Sequence, residues 1–304
     1  MPANVLTLIA APAAAAQAGG AVEAVVGALR RLGAGVAPRR WLAPDIACDI
    51  PFDDLDADQA DAAARAALAG LDGPAIDVVA QPEAERRKRL LLADMESTII
   101  ANEMLDELAD LRGLRDQIAE ITRRAMNGEI DFAAALRERV ALLRGMPETA
   151  LAEVGARIRV TPGARALVAT MRAHGACTAL VSGGFRVYTA RIRAELGFDL
   201  DIANEVLIED GRLSGAVAEP ILARDGKLAS LKRLAAERGL PLAATLAVGD
   251  GANDIDMLEA AGLGIAFHAK PALSRQVRNR IDHADLTALL YAQGYTAGEI
   301  VGDR

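Results

Sequence analysis

Polar side chains able to do chemistry stand where apolar runs end: 90–93 leads into Asp94, 178–181 into Ser182 and 244–249 into Asp250. A short, continuous apolar run reads as a strand buried on both faces of a parallel sheet, so each polar residue marks a strand's C-terminal end. Parallel strands present those ends to one crevice. In Asp94-Met95-Glu96-Ser97-Thr98 a strand-end carboxylate can attack an electrophile such as phosphorus. A second acid two residues on can protonate the leaving oxygen from the same loop. Taken alone, this stretch also reads as an ordinary helix N-cap.

The other motifs add a metal site and an anion site. In Gly249-Asp250-Gly251-Ala252-Asn253-Asp254-Ile255-Asp256-Met257 the glycines allow a tight turn, and Asp250 and Asp254 supply the hard oxygens that magnesium takes. No Gly-Lys-Ser/Thr follows and the chain has no complete G-x-G-x-x-G, which excludes both standard nucleotide loops. Ser182-Gly183-Gly184-Phe185 is expected to open a helix and so to offer a hydroxyl and backbone N–H groups to an anion. Lys227 begins another helical pattern; by itself it reads as a solvated lysine.

The chain that must position these groups has 304 residues, 52% hydrophobic, 25% charged and 3% aromatic, with a net charge of −8. Such a chain is globular, of about two domains' length, and neither disordered nor fibrous. Its acidity and few aromatics argue against a nucleic-acid partner, and an anionic substrate would need local cations. Cys48 and Cys177 read as buried free thiols of a reducing compartment, and His174, His268 and His283 lack zinc-ligand spacing. The apolar run 5–16 has no Lys or Arg before it and is interrupted by Pro12, so it reads as a strand and turn rather than a signal peptide. No other run is long enough to span a bilayer, and the cytoplasm is the expected location.

Along residues 1–82 the order is strand (5–10), helix (21–32), strand (35–42), short strand (47–50), helix (56–71) and strand (75–79), with turns at Gly19-Gly20, Pro44-Asp45 and Asp72-Gly73-Pro74. That order suggests a small ferredoxin-like α+β module. The basic stretch 81–89 reads as a solvated linker, which puts the domain boundary at 82/83. From there to 304, apolar runs at 90–93, 178–181, 244–248 and 263–267 alternate with helical patterns at 163–174, 185–196 and 227–238. This predicts a doubly wound, mainly parallel α/β sheet. Residues from about 105 to 160 are helical without a strand, with breaks at Asn127-Gly128 and Gly145-Met146-Pro147, and are expected to form a cap over the strand ends.

Over about 90–290 the sequence resembles the haloacid dehalogenase superfamily and, within it, the phosphoserine phosphatase family. Asp94-Met95-Glu96-Ser97-Thr98, Ser182, Lys227 and the stretch 249–257 carry the likeness, in that order. The resemblance implies a Rossmann-like phosphatase domain that hydrolyses O-phospho-L-serine in the last step of serine biosynthesis. Asp94 would form an aspartyl-phosphate, with Glu96 acting as acid and then base. Mg²⁺ would sit on the Asp94 carboxylate, the Glu96 backbone carbonyl and Asp250, with Asp254 completing or orienting the shell. Ser182, Gly183 and Lys227 would hold the phosphate with Asn253 close by. Glu103 would meet the substrate ammonium and Arg139 its carboxylate, with Met126 and Phe132 lining the pocket. The N-terminal module is similar to ACT-type regulatory domains, which implies amino-acid binding and a homodimer through that module.

One departure stands out, because the family's second acid is Asp and here it is Glu96. At an ordinary pKa of ~4.3 well under ~1% of a glutamate is protonated at pH 7, so acid catalysis requires a site that raises it. Slower or reshaped chemistry is the expectation. Two alternatives stay open: another small phosphomonoester as substrate, or an amino-acid-sensing protein whose catalytic domain Glu96 has weakened.

Overall fold

The computed structural model describes residues 2–71, 74–126 and 129–302, so the turn expected at Asp72-Gly73 and the break expected at Asn127-Gly128 lie outside the described residues. An 11-stranded sheet runs through the molecule. At the centre of its parallel part is Leu90–Ala93, with Cys177–Phe185 on one side and Thr245–Gly249 on the other. Leu200–Asn204 extends the first side, and Leu263–Phe267 and Arg280–Ile281 extend the second. The chain builds the first side before crossing to the second, so strand order reverses at Leu90–Ala93. That reversal opens a crevice beyond the strand ends. All four residues of Leu90–Ala93 are buried, as a central strand covered by helices on both faces requires.

Beyond Arg280–Ile281 the sheet turns antiparallel and continues into the N-terminal strands Ile76–Pro82, Asn4–Ala10 and Ala47–Asp53. The junction is a single pair, Arg280 opposite Val78. One face of this N-terminal part carries the helices Ala15–Arg31 and Ala57–Ala69 over a core that includes Leu6, Ile50, Phe52 and Val78. Its other face sends Ile9, Ala47 and Val79 into a cluster shared with Leu289, Tyr291 and Tyr295.

Several expectations change on folding. The first helix starts at Ala15 rather than 21 and runs through Gly19-Gly20, whose missing side chains face open solvent. Alanines on either side of them place Ala14, Ala18 and Ala21 on the buried side, and that packing outweighs the glycines' low helix propensity. The strand expected at 35–42 is two pieces, Gly35–Val36 and Arg40–Ala43, parted by Pro38, which lacks a backbone N–H for the ladder. Cys177 is only half-buried, whereas Cys48 is buried. A hairpin of Val206–Glu209 and Arg212–Val217 was not anticipated; it packs against the cap helix Phe132–Leu142 and is tied to the loop after that helix by Gly145 N–H on Leu213 O at 2.8 Å.

The largest correction concerns 81–89. Arg86 and Lys88 are each 6% exposed, not solvated. Arg86 grips the fully buried Asp49 through both terminal nitrogens at 2.6 Å and donates to Thr7 Oγ1 at 2.8 Å and to Ala292 O at 3.0 Å. Lys88 donates to the carbonyls of Glu85 and Ala243. A buried charge survives only when paired and hydrogen-bonded, and these partners come from distant parts of the chain. No described helix is long and apolar enough to cross a membrane.

Candidate active site

The crevice at the strand reversal gathers the acids. Asp94 leaves Leu90–Ala93 with its N–H on Val248 O at 3.0 Å, which ties it to the strand that delivers Asp250. Asp94, Asp250 and Asp254 are all buried, and each offers an oxygen within 4.8 Å of the others. Asp254 reaches this group because Gly249 has no side chain: a Cβ there would stand 2.3 Å from Asp254 Cγ. The Asp254 carboxylate also accepts the Gly251 N–H at 3.1 Å.

Lys227 enters from the first turn of the helix Arg224–Glu237 and is 1% exposed. Its Nζ lies 2.8 Å from Asp94 Oδ1 and 2.7 Å from Asp254 Oδ1. Burial disfavours its ammonium, but Asp254 and Asp94 more than compensate and raise its pKa above the ordinary value. One buried lysine does not balance the group. Burial, with Asp254 and Asp250 adding to it, pushes the Asp94 carboxyl well above its usual range while Lys227 pulls it back. Burial likewise raises Asp250, against the pull of Lys270. The surplus negative charge and the all-oxygen donor set fit a hard divalent cation and suit zinc or copper poorly.

Glu96 sits in a loop with a left-handed turn, Ser97 having φ +53°, a conformation that costs energy for any residue but glycine. Its Oε1 accepts the N–H of Met104, first residue of the cap helix Met104–Arg112, at 2.8 Å. The carboxylate also lies against Gly184, where a Cβ would approach Oε2 to 2.7 Å. Enclosure, and then the charge of Glu103, raise the Glu96 pKa to about 7. The site therefore supplies the rise that acid catalysis requires.

On the cap side, Glu103 Oε1 accepts from Ser97 Oγ at 2.8 Å. Arg139, on the helix Phe132–Leu142, is close enough to Asp106, Glu96 and Glu103 to feel their charge. Burial nonetheless lowers its pKa, and among the described residues it pairs with no carboxylate. Among the described residues its side chain donates only to its own helix, at Ala135 O, 3.3 Å away. Phe132 rests on Gly183, where a Cβ would come within 2.9 Å of the ring. Met126 ends the helix Arg115–Met126, and its side chain lies outside the described residues.

Ser182 is fully buried and its Oγ accepts the Gly184 N–H at 3.0 Å. The strand continues through Phe185 and the helix begins at Arg186, so Ser182-Gly183-Gly184 is an irregular strand end rather than a helix start. The register shift between Ser182 and Phe185 marks the irregularity. Asn253 lies in the short turn Ala252–Asp254, its Oδ1 lodged against Gly251.

Lys270 is the residue that sequence reasoning misses. Its Nζ lies 2.9 Å from Asp250 Oδ2 and 3.2 Å from Glu103 Oε1. The signal is the one that finds Asp94, Ser182 and Asp250: Lys270 stands three residues beyond Leu263–Phe267, a fourth strand ending at the same crevice.

Comparison with known proteins accords with this geometry. The chain is 43% identical over 238 residues to a phosphoserine phosphatase of Streptomyces coelicolor, covering 78% of this chain and 57% of that protein. It thus spans little more than half of that relative's length. Another relative, a phosphoserine phosphatase of Lactococcus lactis, is 45% identical over 203 residues, 67% of this chain and 94% of its own. Among solved structures, a haloacid dehalogenase family hydrolase of Salmonella enterica serovar Typhi superposes with a TM-score of 0.83 at 28% identity, covering 95% of this chain and 97% of the other. The family model for haloacid dehalogenase-like hydrolases matches residues 91–259, over half the chain and the stretch that carries Asp94, Lys227, Asp250 and Asp254. The chain belongs to the haloacid dehalogenase-like hydrolases.

Proposed function

We propose that this chain hydrolyses O-phospho-L-serine to L-serine and phosphate, the reaction that would close a serine biosynthesis route. The observation that carries the reading is Arg139, a half-buried cation without a carboxylate partner among the described residues, beside Glu103. That pair suits the carboxylate and ammonium of an amino acid whose phosphate points at Asp94. The names of the relatives from S. coelicolor and L. lactis support it.

In this reading an Asp94 oxygen bonds to phosphorus as the bond to the serine oxygen breaks, and Glu96 delivers its proton to that oxygen. Glu96, now a carboxylate, takes a proton from the water that attacks phosphorus, and Asp94 is released. Lys227 holds the phosphoryl oxygens with Ser182 and Gly183, and Asn253 stands nearby. Bound Mg²⁺, held by Asp94, Asp250, the Glu96 carbonyl and Asp254, would neutralise the charge that keeps a carboxylate from approaching a phosphate.

Phosphate release over a panel of small phosphomonoesters, with and without Mg²⁺, tests the substrate. O-phosphoserine is expected to be preferred. Glu103→Gln should raise its KM at least about tenfold, the cost of leaving a buried or charged partner unpaired, without doing so for the analogue lacking the amino group. Unchanged phosphoserine turnover after neutralising Glu103 or Arg139 would remove the amino-acid assignment.

Glu96 gives a second test through pH. The first step uses its protonated form and weakens as pH rises through about 7; the water step uses the carboxylate and weakens as pH falls through that value. Turnover should therefore peak near neutrality. Glu96→Gln should cost about 10²–10⁴-fold in kcat and abolish the inflection; an unaltered profile would show that Glu96 is not the proton carrier.

Residues 1–82 would form an ACT-like regulatory module and 83–304 the phosphatase domain, its cap at about 105–160. Because Ile76–Pro82 is engaged by Arg280–Ile281 and Leu42 O already accepts the Ala297 N–H, a homodimer through the module would use its opposite edge at Gly35–Val36. The free cysteines favour a reducing compartment, the cytoplasm.

A further inference from the structure

Two lysines touch the acidic centre, and they are held differently. Lys227 is 1% exposed and locked between two carboxylates. The side chain of Lys270 is 52% exposed, and only its backbone is pinned. Its N–H donates to the carbonyl of Asp250 itself at 2.9 Å. The loop before it is fixed by His268, whose N–H reaches Ile281 O at 2.8 Å and whose ring hydrogen-bonds Ala284 O at 2.9 Å. An ammonium at the end of a half-exposed side chain on a fixed anchor can leave its two contacts by rotation of that side chain, without any rearrangement of the fold.

Its two contacts are telling. Asp250 is one of the three clustered carboxylates, and Glu103 is the acid placed to receive a substrate ammonium. Lys270 is thus a single positive group resting on one acceptor for each incoming cation.

We propose that Lys270 is a tethered counter-ion: it pairs Asp250 with Glu103 while the site is empty and swings to solvent when the metal ion and the substrate ammonium arrive. This rests on the phosphoserine reading of the site. Lys270 keeps both carboxylates aimed and neutralised before binding, and every incoming cation must displace it. Removing its charge should tighten binding of both. Contacts this exposed are individually modest, so the expected gain is a few-fold rather than hundreds-fold.

The test compares wild type, Lys270→Met and Lys270→Arg. Mg²⁺ is titrated calorimetrically into the metal-free protein, and KM and kcat for O-phosphoserine are then measured at saturating Mg²⁺. Lys270→Met should bind Mg²⁺ about three- to tenfold more tightly and show a KM lowered several-fold, while Lys270→Arg stays close to wild type in both. If wild type binds Mg²⁺ and turns over phosphoserine, but Lys270→Met shows an unchanged or weaker Mg²⁺ affinity or an unlowered KM, the counter-ion role is overturned and the site reading stands. If wild type neither binds Mg²⁺ nor releases phosphate from phosphoserine, both fall together.

Discussion

Asp94→Asn should reduce phosphate release from O-phosphoserine by roughly 10⁴-fold or more, the scale seen when a nucleophile is removed. The amide has the same shape, and its oxygen can still accept from Met95 N–H and Lys227, which now contact Asp94 Oδ1 at 2.8 Å each. The fold should therefore persist, with an unfolding midpoint in metal-free denaturant no lower than wild type, since a neutral amide relieves part of the crowding that raises the Asp94 carboxyl. An amide cannot form the acyl-phosphate bond, so the loss should lie in kcat at any substrate concentration. Single-turnover mixing should detect no phosphorylated protein. Retained activity would mean that water attacks the phosphoryl group directly, and the covalent mechanism would be wrong.

Lys227→Met should combine a large stability loss with a large activity loss. The methionine fills a similar volume but leaves Asp94 and Asp254 buried without their shared cation. Breaking a buried pair from one side costs about 3–5 kcal/mol. The loss should be read as a lowered denaturant midpoint in metal-free buffer. It should shrink as Mg²⁺ is added, because an ion that binds only the folded form stabilises it by mass action and relieves the same charge surplus. Turnover should fall by about 10²–10³-fold, as for loss of one preorganised donor to transition-state charge. A variant as stable as wild type without metal would show that Asp94 and Asp254 do not depend on the Lys227 charge. Mg²⁺-independent instability would place the cost elsewhere in the helix Arg224–Glu237.

How far the site can be read from sequence depends on how local its signals are. Asp94, Ser182 and Asp250 follow apolar runs because a central parallel strand is covered on both faces by apolar packing, and polar side chains are admitted only near its C-terminal end, where the crevice begins. Lys270 obeys the same logic yet escapes notice, since three residues intervene after Phe267 and a lysine outside a motif looks solvated. Arg139 is chosen only through the family resemblance: nothing in Arg137-Glu138-Arg139 says which arginine turns inward, whereas the folded cap encloses Arg139 and leaves Arg137 on a surface glutamate, Glu219.

The linker region shows the opposite limit. A block of basic residues between strands has the composition of a solvated segment, but Arg86 is claimed by Asp49, 37 residues earlier, and by Ala292, 206 residues later. Those contacts, the Arg280–Val78 junction and the shared cluster under Ile9 and Val79 bind the N-terminal module to the rest of the chain. Excising residues 1–80 would therefore expose core as well as remove a module, so a regulatory role is better probed by point changes at Gly35–Val36 on its outer edge.

The sequence by itself determined the alternation of buried strands and helices, the acids at the strand ends, the helical cap and the substitution of Glu96 for the family's Asp. Each is written in neighbouring residues, because burial on two faces and helical periodicity are local constraints. Only the tertiary structure decided the pKa of Glu96, the surplus charge around Lys227, the half-buried place of Arg139 beside Glu103 and the reach of Lys270. These depend on distances between groups far apart in the chain, and electrostatic energies follow distance and burial rather than sequence spacing.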